Sequence, residues 1–184
     1  MAEQVHTLPI DNLAPDEVAS PVMIYTPRTL SWGQLISKKA IRANVILRST
    51  IVPDYLAIYK AHTLGLQGGE LTKPIPSEEL HIPTENVIGF HLMPPYEEEP
   101  DYDPDEINRK MEPVTVFVGP FFFHGHMRMS TQTDLGTFLG VTKTIFASLY
   151  DVDIVHMSNT SMKPIHVPMC QIRRTYALFS NRLG

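Results

Sequence analysis

Two distant stretches of this chain carry the same order of residue types, and that constrains the fold more than any single motif. Val22-Met23-Ile24-Tyr25 through Trp32-Gly33-Gln34-Leu35 aligns without a gap on Val114-Thr115-Val116-Phe117 through His124-Gly125-His126-Met127. Further on, Tyr55 to Ala61 falls on Phe146 to Val152, and His81-Ile82-Pro83 matches His166-Val167-Pro168. Repeated sequence of this kind points to two copies of one small unit that bury faces they share. In a chain of 184 residues each copy has roughly 70 residues, near the lower limit for a self-sufficient core.

Charge divides the chain along the same lines. Residues 1–21 hold Glu3, Asp11, Asp16 and Glu17 with no Lys or Arg. Residues 94–113 hold Glu97, Glu98, Glu99, Asp101, Asp103, Asp105, Glu106 and Glu112 against Arg109 and Lys110. The net charge of −5 therefore sits in the connectors, and the two units are mildly basic. Together with Pro9, Pro15 and Pro21 in the first segment and the proline-rich second, this gives four parts. They are an extended acidic arm (1–21), unit one (22–93), an acidic Pro-rich linker (94–113) and unit two (114–184). A short helical turn at Pro104–Asn108 suits the proline and acids of a first turn.

Within each unit the pattern is mainly β. Val22–Thr26 and Val114–Val118 are rich in β-branched and aromatic residues. Pro27 and Gly119-Pro120 then mark a turn, and second strands run from Thr29 to Ser37 and from Phe121 to Met129. Gly33 and Gly125 occupy one position, which predicts a bend or a close backbone approach. Asp134 is placed to N-cap a short helix carrying Leu135, Phe138 and Leu139 on one face. Its counterpart at Ile41–Leu47 fits strand or helix. The third strand is expected to bury Tyr55, Ala57, Tyr59 and Ala61, matched by Phe146, Ser148, Tyr150 and Val152. Last strands at Val87–Leu92 and Ile172–Leu178 follow the X-Pro step. The expected architecture is two tandem small antiparallel β-barrels from an internal duplication.

On this strand–glycine–strand–X-Pro layout each unit resembles an Sm-like or SH3-like small β-barrel, similar to uncharacterised bacterial barrel domains. The resemblance is one of pattern. The Gly and Asn signature of RNA-binding Sm proteins is missing from both units, so it transfers no functional residue.

Candidate chemistry is sparse. His124-Gly125-His126 puts two imidazoles on one face of a strand, where a pair can grip a metal. A third ligand is missing nearby, since no acid follows until Asp134, and the equivalent positions in unit one are Trp32 and Gln34. No metal or other cofactor is therefore expected. Asp151 and Asp153 also share a face, and their counterparts are Lys60 and His62. Opposite charge at equivalent positions predicts that these four residues form a contact face between units, in this chain or the next. His81 and His166 read as structural rings at the unit ends. Cys170 has no His and Asn arrangement around it, and no Gly-x-Ser-x-Gly, phosphate loop or dinucleotide pattern is present. No catalytic residue is expected.

A single cysteine fits a reducing compartment. Met1-Ala2-Glu3-Gln4 does not begin a secretory signal, and no apolar run approaches the roughly 20 residues of a membrane helix. A cytoplasmic location without membrane association follows as the expectation, with Asn159-Thr160-Ser161 read as a turn. Lys38, Lys39, Arg42 and Arg48, and the pair Arg173-Arg174, are candidates for phosphate contacts. The acidic arm and linker oppose such contacts, so nucleic acid is not the favoured partner. The sequence thus points to a non-enzymatic structural or interaction protein, a scaffold subunit that associates with itself or with another protein. The alternative is a ligand- or RNA-binding module of Sm-like type.

Overall fold

Tight antiparallel hairpins begin each half of the chain, where the sequence places them. In the computed structural model, which describes residues 8–49, 52–67, 70–158 and 163–181, β1 (Glu17–Tyr25) turns back into β2 (Thr29–Lys38). The Thr26 amide donates to the Thr29 carbonyl at 2.9 Å, closing that turn. β7 (Arg109–Val118) and β8 (Phe121–Ser130) are joined by Gly119-Pro120 alone. Gly119 has a φ of 54°, a left-handed conformation that glycine reaches without a Cβ penalty.

The remaining strands are β3 (Tyr55–Gln67), β4 (Glu70–Leu71), β5 (Ile75–Pro83), β6 (Gly89–Leu92), β9 (Phe146–His156), β10 (Ile165–Arg173) and β11 (Leu178–Asn181). Each half pairs its strands in one order. β6, β1, β2, β3 and β5 are neighbours in that sequence, as are β11, β7, β8, β9 and β10. The halves are then joined edge to edge, because β10 also pairs with β6.

This changes the expected architecture. Among the described residues no pairing closes either half into a separate barrel. A single antiparallel sheet runs through both halves and ends at open edges. The reason lies in β6 and β10, whose free sides satisfy each other's backbone groups.

Between the second and third strands of each half lies one helical segment. Asp134 caps α1 (Leu135–Val141), accepting a hydrogen bond from the Thr137 amide at 2.8 Å. The counterpart over Ala43–Arg48 is a 3-10 helix. Its first two amides, of Ala43 and Asn44, donate to the Glu98 carboxylate at 3.0 Å each.

Several sequence expectations are corrected. β1 begins inside the segment read as an arm, and β7 inside the one read as a linker. Pro104–Asn108 forms turns rather than a helix. The final strand of the second half is β11, not Ile172–Leu178. Pro168 lies within β10 instead of preceding a strand. The register also separates the two X-Pro steps, with His81 opposite Ala57 and His166 opposite Asp153. The site corresponding to His81 is Gln171, opposite Ser148. Asn159-Thr160-Ser161 and residues 1–7, with Glu3, lie outside the described residues.

The third-strand face also differs. Leu56, Ile58 and Ala61 are buried, while Tyr55 is 55% exposed and Tyr59 half-buried. A bulge at Lys60, whose φ is 48°, inserts a residue and inverts the alternation beyond it. Asp151 repeats the device in β9 with a φ of 52°. Gly33 and Gly125 face these bulges, and a Cβ on Gly33 would come within 2.7 Å of the Tyr59 carbonyl oxygen.

Two apolar clusters form the core. One gathers Val114, Phe121, Phe123, Met127, Leu149 and Ile172 of the second half, and it takes in Tyr25, Leu30 and Ile88 from the first. The other gathers Val22, Ile24, Leu35, Ile58 and Phe90 of the first half, and it takes in Phe146 from the second. Among the described residues no helix is long and apolar enough to cross a membrane.

Candidate functional site

A group of titratable side chains lies on the β8–β9–β10 face of the second half. The bulge at Asp151 places Asp151 and Asp153 on the exposed side of β9, with β10 bringing His166 between them. His166 Nδ1 lies 3.0 Å from Asp153 Oδ1, and its Nε2 lies 3.6 Å from Asp151 Oδ1. His126 on β8 approaches the other Asp151 oxygen, Nδ1 to Oδ2, at 3.8 Å.

Next to this group is a cleft of about 400 Å³ whose walls include Tyr102, Met111, His126, Tyr150, Asp151 and His166. The acidic linker forms one wall, and its placement explains why this segment is acidic. Asp101 is paired with Arg48, and it accepts a 2.7 Å bond from the Tyr150 hydroxyl. Burial and that carboxylate push the Tyr150 phenol well above its ordinary range. Arg128 lies over the Tyr102 ring at 4.8 Å, donates to the Asp103 carbonyl at 2.8 Å and pairs with Glu106 at 2.6 Å. Arg128 and Arg109 together hold the Glu106 carboxyl below its usual range. Arg42 donates to the carbonyls of Glu99 and Pro100.

His124 and His126 do share a strand face, but they are committed to different neighbours. His124 Nδ1 is 3.0 Å from the Thr115 hydroxyl, and its ring stacks on Phe122 at 5.8 Å. Among the described residues no three His, Cys, Asp or Glu side chains converge as a metal site.

Lys60 and His62 stand at the positions of Asp151 and Asp153, yet the two pairs do not meet within the chain. β2, β1, β6 and β10 lie between β3 and β9 in the sheet. Lys60 reaches Asp11 of the N-terminal segment at 3.2 Å, and His62 stacks on Trp32 with ring centroids 5.4 Å apart. Each pair is engaged inside its own half.

Chemically, the cleft offers two imidazoles and two carboxylates at a wet rim over a wall of aromatic rings. Asp151 is 71% and His166 59% exposed in their side chains, so water screens these pairs. Such a rim suits recognition of a cationic or hydrogen-bonding group. The Cys170 thiol is fully buried, and burial pushes it far up, which leaves it inert. Sequence reasoning missed His166, Tyr102 and Tyr150 as neighbours of His126, because their proximity depends on β9–β10 register and on linker docking. The Asp-x-Asp pattern of β9 was the available signal.

Comparison of the chain with protein-family models, with curated proteins and with solved structures returned no match.

Proposed function

We propose that this chain is a non-enzymatic structural subunit, built from a duplicated small-barrel-type unit of Sm-like or SH3-like kind. On this reading it acts in the cytoplasm by associating with further protein, first of all with copies of itself. One observation carries the reading. Among the described residues the sheet ends in two unpaired edges, β11 on one side and β5 with the short β4 on the other, and both β5 and β11 bear apolar side chains in water. Ile75 of β5 is 64% exposed and Leu178 of β11 is 71% exposed. An open edge with apolar residues is a template for pairing with another chain.

The test is a solution mass by analytical ultracentrifugation at several concentrations and at high salt. A mass well above the 20.8 kDa chain is expected, and a monomer at tens of micromolar would overturn the proposal.

A second reading has its own support in the cleft beside His126, Asp151 and His166. It makes the chain a ligand-binding module of the same barrel type. Nucleic acid fits this cleft poorly, because Asp151, Asp153 and the acidic linker would repel phosphates. A thermal-shift screen of small cationic and neutral ligands on the parent protein and on Asp151→Asn tests it. Stabilisation that the substitution abolishes would place the binding reading first.

A further inference from the structure

The joint between the two halves has unfilled counterparts at the two ends of the sheet. At the joint, β10 and β6 pair with Cys170 opposite His91, Gln171 opposite Phe90 and Ile172 opposite Gly89. The Arg173 amide donates to the Ile88 carbonyl at 2.7 Å, and its guanidinium donates to the carbonyls of Val87 and Thr84. Tyr25 crosses from the first half into the core of the second. Its ring meets Phe121 and Phe123 edge-on at 5.1 Å each, and its hydroxyl lies 3.1 Å from His91 Nε2.

The registers identify the corresponding positions at the free ends. Cys170 lies opposite Leu149, one residue before the Tyr150-Asp151 bulge, and Leu80 lies opposite Ile58, one residue before the Tyr59-Lys60 bulge. Leu80, His81 and Ile82 of β5 therefore stand where Cys170, Gln171 and Ile172 stand in β10. Gly89 and Leu178 likewise lie opposite Tyr25 and Phe117, the equivalent residues of β1 and β7. Leu178, Phe179 and Ser180 of β11 thus stand where Gly89, Phe90 and His91 stand in β6. Within one chain the β10–β6 contact is made, and among the described residues the equivalent β5 and β11 edges have no partner.

A cavity occurs where this relation requires one. It has a volume of about 380 Å³ and is lined by residues including Thr26, Ser31, Thr63, Leu80, His81 and Ile82. Ser31 and Thr63 are the equivalents of Phe123 and Ile154, opposite each other in both halves. In the second half the corresponding place is filled by Tyr25. In the first half Ser31 and Thr63 stand in place of that larger pair, and among the described residues nothing fills the cavity. The residue equivalent to Tyr25 is Phe117, half-buried beside Phe122 at the other end of the sheet.

We infer that copies of this chain associate head to tail, β11 of one copy pairing antiparallel with β5 of the next and Phe117 entering the cavity beside Ser31 and Thr63. This rests on the self-association proposed above and specifies its surface. The register follows from the internal joint: Leu178 opposite Ile82, Phe179 opposite His81 and Ser180 opposite Leu80. Each copy carries one donor edge and one acceptor edge, so the contact is heterologous and repeats from chain to chain. Leu178, exposed at the β11 edge, and the cavity beside Ser31 and Thr63 both lie at this contact, while Ile75 lies beyond the residues this register pairs.

The test uses the full chain with both Leu80→Cys and Ser180→Cys, oxidised under mild conditions. A series of covalent oligomers is expected on non-reducing gels from the double variant. Either single variant should remain free of that series, since native Cys170 is buried. As a register control, Glu78→Cys combined with Ser180→Cys is expected to give at least tenfold less product. An independent variant, Leu178→Lys, changes an exposed residue and should fold normally by circular dichroism while weakening association at least tenfold in sedimentation. If the parent assembles but the double variant yields no cross-link between positions 80 and 180, or if Leu178→Lys assembles as the parent does, this surface is overturned and self-association is left standing. A monomeric parent overturns both.

Discussion

The joint between the halves contains a buried histidine whose titration should be visible in the stability of the whole chain. His91 is 1% exposed. Its Nδ1 lies 2.8 Å from the Leu92 carbonyl, and its Nε2 lies 3.1 Å from the Tyr25 hydroxyl. The neutral ring fits these partners well, with Nδ1–H donating to the carbonyl and Nε2 accepting from the phenol. A proton on Nε2 would leave a buried charge with only the neutral Tyr25 hydroxyl oxygen to accept from it, since burial keeps both that phenol and the Cys170 thiol across the joint protonated. Desolvation accordingly lowers the His91 pKa from 6.5 to about 4. The sign follows directly: the unfolded chain takes up the proton first, so acid favours unfolding. The His91 contribution is complete above about pH 6.5, falls as the pH drops towards about 4, and changes no further below that. Between about pH 7 and about pH 5 the expected loss is on the order of 2 kcal/mol. Urea unfolding at both pH values, at one protein concentration, measures it. His91→Gln should be less stable than the parent at neutral pH, because the flexible amide replaces a buried ring placed between the Leu92 carbonyl and the Tyr25 hydroxyl, yet it should lack this part of the pH slope. Carboxylates held low in the fold, such as Glu17 and Glu106, contribute alike to both proteins and cancel in the difference. Equal losses in parent and variant would refute the argument.

Two further predictions concern packing and use the same unfolding assay. Gly33→Ala places a Cβ 2.7 Å from both Ile58 Cγ2 and the Tyr59 carbonyl oxygen, and it should cost about 1–3 kcal/mol. Gly125→Ala, with its nearest contacts at 2.9 and 3.0 Å, should cost less. Gly140→Ala meets nothing within 4 Å and should be neutral or stabilising. Phe123→Ala removes a fully buried ring that Tyr25 packs against, for a loss of about 3–5 kcal/mol. Tyr55→Ala should stay within about 0.5 kcal/mol of the parent. The reverse order would mean that the strand face has been misassigned.

Local geometry was legible in the sequence, and long-range geometry was not. The two hairpins, the paired glycines and the Asp134 cap could be read because each is set by residues a few positions apart. The buried face of β3 was misread at Tyr55, since one inserted residue at Lys60 shifts a two-residue period and leaves no mark in composition. His81 and His166 were matched because their X-Pro steps look alike, yet Pro83 ends its strand and Pro168 sits inside one. The pairing of β10 with β6 brings Cys170 beside His91, and no local pattern encodes such a contact. The linker was recognisably acidic. Its place beside Tyr150 depends on Arg48 and Arg128, which come from opposite halves of the chain.

The exchange of core residues has a consequence for how the chain holds together. Tyr25, Leu30 and Ile88 belong to the apolar cluster of the second half, and Phe146 belongs to that of the first. Excising either half would therefore leave a hole in one core and bare aromatic surface on the other. Neither half is a portable module, whatever its ancestry. The peptide bonds of residues 94–108 act mainly as a tether that keeps the two fragments at high local concentration. A single nick there would cut the chain without separating its parts, because the surfaces those parts bury belong to each other.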